Sequence, residues 1–160
     1  MAKKETLLSV AKEIRDVLVT NSTLNKIVKG VKELKESVRF IKNEDGTVID
    51  KKTGLMWGPA LSFKLAKDAG PKACAECKVG GHTDWRVPTV EEYCSIINRK
   101  KRNPCVDTEI FPDTKSDWYW TCEDYADDSG VAWVVNFYNG NVFSDVETYG
   151  YYVRPVRSSQ

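Results

Sequence analysis

The residues best able to do chemistry are five cysteines, Cys74, Cys77, Cys94, Cys105 and Cys122, and a single histidine, His82. Cys74-Ala75-Glu76-Cys77 has the spacing of a redox or metal-binding pair. Cys94 and Cys105 would complete a four-thiolate zinc site, but they are not a second close pair. One or two disulfides, or free buried thiols, are the alternatives. The start of the chain is charged throughout and not signal-like, so reduced thiols are the working expectation and no metal is assigned. His82 follows Gly80-Gly81. One histidine makes no nucleophilic triad unless a cysteine and a carboxylate converge on it, so a loop hydrogen-bonding role is the plainer reading. In Asp84-Trp85-Arg86-Val87-Pro88, a core indole and an arginine paired with a carboxylate are the structural expectation.

Carboxylates and aromatics gather late in the chain. Residues 113–152 carry eight acidic side chains against one basic, Lys115, and eleven of the seventeen Phe, Trp and Tyr residues. Glu123, Asp124, Asp127, Asp128 and Asp145 could supply the oxygens a calcium ion needs. A solvated acidic loop is the simpler account, and no cofactor is assigned. Tyr and Trp beside Asn and Asp suit recognition, because they offer large contact area with few rotatable bonds. If Trp133, Val135 and Phe137 face the core, strand alternation turns Val134, Asn136 and Tyr138 outward. Trp120, Trp133 and Phe137 are expected to be core residues.

These groups need a scaffold, and the sequence indicates an α+β one with an N-terminal helical extension. Over residues 1–38, apolar residues follow a heptad. One core series is Leu7, Ile14, Asn21, Val28 and Lys35; the other is Val10, Val17, Leu24, Val31 and Val38. This stripe predicts either one long helix, able to self-associate through residues 5–38, or two short helices. The second form is favoured by Thr20-Asn21-Ser22-Thr23, rich in N-cap residues, and by Gly30. Residues 38–50 read as a hairpin turning at Asp45-Gly46. Residues 61–78 read as a helix that Pro71 interrupts. Thr89, with Glu92 three residues on, is a capping box for a helix from Val90 to Asn98. Residues 132–138 and 141–146 read as strands joined by Asn139-Gly140 in a type I′ turn, and residues 151–157 as the last strand.

Composition narrows the function classes. The chain has 160 residues, enough for one compact domain of ordinary size. A net charge of +1, from 24 Lys and Arg against 23 Asp and Glu, gives no reason to expect nucleic-acid binding. No apolar run is long enough to span a membrane. With neither signal peptide nor span in the sequence, localisation is left unassigned, display on a virion or cell surface requiring another component.

Seven segments together carry a resemblance. They are Asp45-Gly46-Thr47-Val48, Thr53-Gly54-Leu55-Met56-Trp57, Gly81-His82-Thr83-Asp84-Trp85-Arg86-Val87-Pro88-Thr89, Tyr119-Trp120-Thr121, Ala132-Trp133-Val134-Val135-Asn136-Phe137, Gly140-Asn141-Val142 and Tyr152-Val153-Arg154-Pro155-Val156-Arg157. In this order residues 39–157 resemble the Lcl-type C-terminal domain. The resemblance implies a C-type lectin-like fold, with helices flanking a small antiparallel sheet. It also implies a binding or adhesion role and a binding face near the C-terminal strands and loops. Some proteins of this fold are variable proteins of diversity-generating retroelements, diversified at the C-terminal face. Formylglycine-generating enzymes share the fold but work through two late cysteines. Here Cys122 is the last and has no near partner, so no catalytic residue is assigned.

The expectation is a non-catalytic ligand-binding or display protein. An acidic and aromatic face would meet a protein or glycan, its specificity either fixed or retroelement-diversified. Its candidate residues are Trp118, Tyr119, Glu123, Asp124, Tyr125, Asp127, Asp128, Asn136, Tyr138, Asn139, Asn141, Phe143, Asp145, Glu147, Tyr149 and Tyr151. Sugar-binding C-type lectins use Glu-Pro-Asn or Gln-Pro-Asp with Trp-Asn-Asp, and none of these occurs here.

Overall fold

The computed structural model describes residues 2–159, the side chains of 2–8, 32 and 34–37 excepted. The chain divides into two compact units between Arg39 and Phe40. The first is a single helix, α1 (Ala2–Ser37). The expected second start near Ser22 does not occur. Thr20 and Thr23 donate their hydroxyls back to the carbonyls of Asp16 and Val19, at 2.8 and 3.0 Å. Side chains that could have capped a new helix bond along the existing one instead. Core positions Leu7 and Lys35 lie outside the described side chains. No helix among the described residues is long and apolar enough to cross a membrane.

The second unit is α+β. β1 (Phe40–Lys42), β2 (Val48–Asp50) and β3 (Leu55–Trp57) form antiparallel neighbours, and β7 (Val156–Ser158) returns to pair with β3. The β1–β2 turn is built as expected. Gly46 sits at φ +85°, and Asp45 accepts from both the backbone N–H and the hydroxyl of Thr47. A second antiparallel sheet holds β4 (Trp118–Asp124), β5 (Val131–Asn136) and β6 (Val142–Val146), in that order. Two short helices, α2 (Gly70–Glu76) and α3 (Val90–Ile96), complete the unit. The capping box of α3 forms as the sequence indicates, with Glu92 N–H bonding to Thr89 Oγ1 at 3.1 Å and Thr89 N–H to Glu92 Oε2 at 2.9 Å.

Three expectations about elements are corrected. Residues 61–66 are not helical: the chain bends at Ser62 and Phe63, and Leu61 and Leu65 on either side donate to the carbonyls of Val153 and Tyr151 at 2.9 Å. The helix begins only at Gly70, after a 3-10 turn at Lys67–Ala69. Pro71 therefore stands in the first helical turn, where its missing N–H costs nothing, and it starts the helix rather than breaking one. The β5–β6 loop is not type I′, which needs two residues at positive φ. Gly140 is at φ +81° while Asn139 is not at positive φ. The loop spans four residues, closed by Gly140 N–H to Asn136 O at 2.7 Å and Asn136 N–H to Asn141 O at 2.8 Å. Phe137 is drawn into the core at its start, which leaves no room for a two-residue turn. Finally, Tyr151 and Tyr152 form only isolated bridges, and the last strand starts at Val156.

Both faces of the β4–β5 pair are buried. Tyr119, Val135 and Phe137 join one apolar cluster with Trp57, Tyr93 and Phe111. Trp120, Ala132 and Val134 join another with Met56, Trp85 and Val153. Simple in–out alternation therefore fails on β5. Val134 is fully buried where it was expected outside, and Trp133 is half exposed where it was expected in the core. Two charged groups among the described residues lie inside, Asp50 at 0% and Arg154 at 2% exposed; Arg154 is the one that ties the core together. It donates to Gly58 O at 2.8 Å, Asp113 Oδ1 at 2.6 Å and Thr114 Oγ1 at 2.9 Å, with its guanidinium 5.2 Å from the Phe111 ring.

Candidate functional site

Strand register decides which predicted site residues can meet. In β4–β5–β6 the cross-strand partners Trp118↔Asn136, Val134↔Phe143 and Ala132↔Asp145 share one side of the sheet. On that side an aromatic patch forms at the edge strand. The Trp118 ring lies 6.3 Å from Phe143 and 6.4 Å from Tyr151, and Tyr149 lies 6.3 Å from Tyr151. Phe143 is 61% and Tyr149 54% exposed, so these rings present apolar area to water rather than to the core. Trp118 and Tyr151 are half buried and support them from below.

Polar groups frame the patch. Tyr151 donates its hydroxyl to Asp145 Oδ2 at 2.7 Å. Burial, and then the Asp145 carboxylate, push the Tyr151 hydroxyl well above its ordinary value, so it stays a neutral donor. Lys64 pairs with Asp117 at 2.7 Å, and this hydrogen bond raises the ammonium's pKa and keeps it charged. The sequence does not point to Lys64 and Asp117, because Lys64 reaches this place through the non-helical 61–66 segment, where leucine spacing predicts helix, and Asp117 meets it only in the folded chain. A Cβ on Gly150 would come within 3.4 Å of Lys64 Cβ, which sets that segment directly against the patch.

The other predicted residues do not join one continuous face. Tyr119 is a correction. It is fully buried, and its hydroxyl accepts from Lys115 N–H at 2.9 Å, so it is a core residue and unable to touch a ligand. Tyr125 packs against Trp133, ring centroids 5.3 Å apart. Trp133 is paired with Ser144 and lies on the opposite side of the sheet, beside a hollow of about 280 Å³ that Glu123 and Val142 also line. Glu123 Oε2 accepts the first backbone N–H of α3, from Val90, at 2.6 Å. Asp124 and Glu147 both pair with Lys67, Glu147 at 2.9 Å. Asp128 accepts from Gly130 N–H within its own turn, and Asp127 is exposed. At the hairpin end, Asn136 and Asn139 accept from the backbone of Tyr138 and Asn141, and Arg102 lies 4.6 Å over the Tyr138 ring.

These separate commitments bear on the calcium alternative. Glu123, Asp124, Asp128 and Asp145 each spend oxygens on a different protein partner. Among the described residues no group of three or more His, Cys, Asp or Glu side chains is placed to hold a metal ion. The five cysteines are free thiols. Burial raises the thiols of Cys74, Cys94, Cys105 and Cys122, Cys74 to about 12, which disfavours the thiolate needed for nucleophilic work. His82 packs its ring edge-on to Trp85, 6.0 Å away. Arg86 holds Glu92 with two hydrogen bonds of 2.8 and 2.6 Å, the structural role expected of it.

Fold and surface thus define an α+β domain of two small antiparallel sheets whose C-terminal strands expose an aromatic patch. The family described as the Lcl C-terminal domain matches residues 46–157, and the chain belongs to that family. No curated protein matches the chain.

Proposed function

We propose that residues 39–157 form a C-type lectin-like binding module without catalytic activity, and that the patch of Trp118, Phe143, Tyr149 and Tyr151 is its recognition surface for a protein or glycan ligand. Membership of the Lcl C-terminal domain family and helices set beside small antiparallel sheets support the fold reading. The observation that carries the function is the exposure of Phe143 and Tyr149 on a supported platform. Burying such rings is favourable by roughly 25 cal/mol per Å² of apolar area, and the Asp145 carboxylate and Lys64 ammonium supply directional contacts at the rim. A flat ring framed by a carboxylate and hydroxyls suits the apolar face of a sugar or an aromatic side chain. Asn139, Asn141 and Phe143 stand out from the core, so their replacement would leave the fold intact. That is what a retroelement-diversified version of the surface would require.

The test is a glycan array and a protein-ligand screen with the wild-type chain, repeated with Phe143→Ala and Tyr149→Ala. Ligands bound by the wild type should lose at least tenfold in affinity with either variant. They should keep it with Trp133→Phe on the other side of the sheet. Binding that survives both alanine variants would place the site elsewhere.

A further inference from the structure

The side of the β4–β5–β6 sheet that faces away from the aromatic patch is only partly covered. Tyr93 and Ile96 of α3 pack with Val135 and Phe137 in one cluster. A seven-residue helix is about 10 Å long, so this cover stops short of Trp133 and Val142. What remains is the hollow of about 280 Å³ lined by Val90, Glu91, Glu123, Trp133 and Val142. Pockets for drug-sized molecules run from roughly 300 to 1,000 Å³, so this one fits a single long side chain. Its walls are of two kinds. Val90, Val142 and the Trp133 indole are apolar, the indole braced by its T-shaped contact with Tyr125. Glu91 and Glu123 are acidic, and no basic side chain lines the hollow. One Glu123 oxygen accepts from Val90 N–H at 2.6 Å. The other, and the whole Glu91 carboxylate, have no hydrogen bond or ion pair to a described residue.

The hollow reaches β6 at Val142, and β6 is an edge strand. Asn136 N–H bonds to Asn141 O at 2.8 Å, and ladder alternation then turns the backbone groups of Val142 and Ser144 away from β5. Edge strands are normally guarded by lysine, proline or a bulge. Val142-Phe143-Ser144-Asp145-Val146 holds no lysine or proline, and it pairs with β5 without a register shift. Its one charge, Asp145, is engaged by Tyr151, while Val142 is 37% and Val146 43% exposed.

We propose that β6 pairs with an extended segment of a partner protein, and that a lysine of this segment seats its side chain in the hollow. Backbone pairing along an open edge supplies affinity, and a pocket for alternate side chains supplies selectivity. The residue beside Val142 on the added strand turns its side chain to the same side of the sheet, toward the hollow. Lysine fits there for three reasons. Its four-carbon stem lies along the two valines. Its ammonium brings three donors to acceptors on two elements, Glu91 of α3 and Glu123 of β4. The indole wall beside those carboxylates attracts the same cation. Arginine favours both oxygens of one carboxylate, and Glu123 has one already committed. A free diamine would fill the hollow but leave the edge of β6 open.

Proton–nitrogen NMR titration of the full chain tests this, read at the Trp133 indole N–H and the Val142 and Ser144 amides. The probes are acetyl-Thr-Val-Lys-Val-Thr-amide, the same peptide with its lysine Nε-acetylated, and 1,5-diaminopentane. The lysine peptide should shift all three signals saturably. The acetylated peptide and the diamine should each bind at least about fivefold more weakly. Glu91→Gln and Glu123→Gln together should erase the difference between the two peptides. Glutamine still accepts from Val90 N–H, so the start of α3 is kept. Tyr149→Ala should leave that difference unchanged, which tells a failure of the hollow from a failure of the aromatic patch. No shift at Trp133 with the lysine peptide, equal affinity for both peptides, or a diamine bound as tightly as the lysine peptide would each overturn the proposal. So would a difference that survives the glutamine variants or falls with Tyr149→Ala.

Discussion

Removing Asp113 should damage the domain most when Arg154 is left in place. The Arg154 guanidinium is 2% exposed, whereas the Asp113 side chain is 37% exposed. The pair is therefore buried at one end only. Asp113→Ala strands a buried cation and also removes the acceptor of Ala60 N–H, bonded at 2.5 Å. Breaking a buried pair typically costs 3–5 kcal/mol, and water reaching the exposed end sets the expectation at about 3 kcal/mol. For a domain of about 120 residues that lowers the melting temperature by ~10 °C. Adding Arg154→Met removes the stranded charge, so the double variant should be no less stable than Asp113→Ala alone. The two single costs should exceed the double cost by at least ~1.5 kcal/mol. Urea unfolding followed by tryptophan fluorescence reads this cleanly, since all five tryptophans lie in the second unit. Costs that add within ~0.5 kcal/mol would show that Arg154 and Asp113 act independently, and would refute the reasoning.

Two other outcomes follow from local geometry. Burial alone would raise the Glu92 carboxyl, but hydrogen bonds from Arg86 and the Thr89 backbone outweigh it and hold it below the ordinary 4.5. Its contribution is full above that value and is lost as the pH falls through the lowered one. The stability gap between wild type and Arg86→Met, measured by urea midpoint, should therefore be present at pH 7 and shrink at pH 3. Gly140 adopts φ +81°, and a Cβ there would stand 3.1 Å from Ile97 Cγ2. Gly140→Ala should then cost more than ~1 kcal/mol, read as a fall in thermal midpoint, where a Gly46→Ala change meets no neighbour and costs less.

What the sequence revealed and what it hid have separate physical causes. The first hairpin and the α3 cap were legible because each is set by residues within four positions of one another. The family was legible because its motifs are local and ordered. Residues 61–66 were misread because leucines at helical spacing carry the same pattern whether the chain coils or pairs with Tyr151 and Val153, ninety positions away. Trp133 and Val134 were misread because alternation assumes one wet face, and β5 has a core cluster on both. Tyr119 looked like a ligand contact by residue type, and only the tertiary fold shows it packed 4.7 Å from Phe137. The patch itself depends on the register between β5 and β6 and on a contact with Lys64, neither of which composition can supply.

The sheet β1–β2–β3–β7 brings the two ends of the domain into one row. Phe40 stands opposite Asp50, Asp50 opposite Leu55, and Leu55 opposite Ser158. Three strand spacings separate the first residue of this row from the last, about 14 Å. A host protein could therefore receive the whole domain through a surface loop with short linkers, as one swaps a cartridge. Such portability makes the domain a practical graft for carrying new surface chemistry on an unrelated carrier.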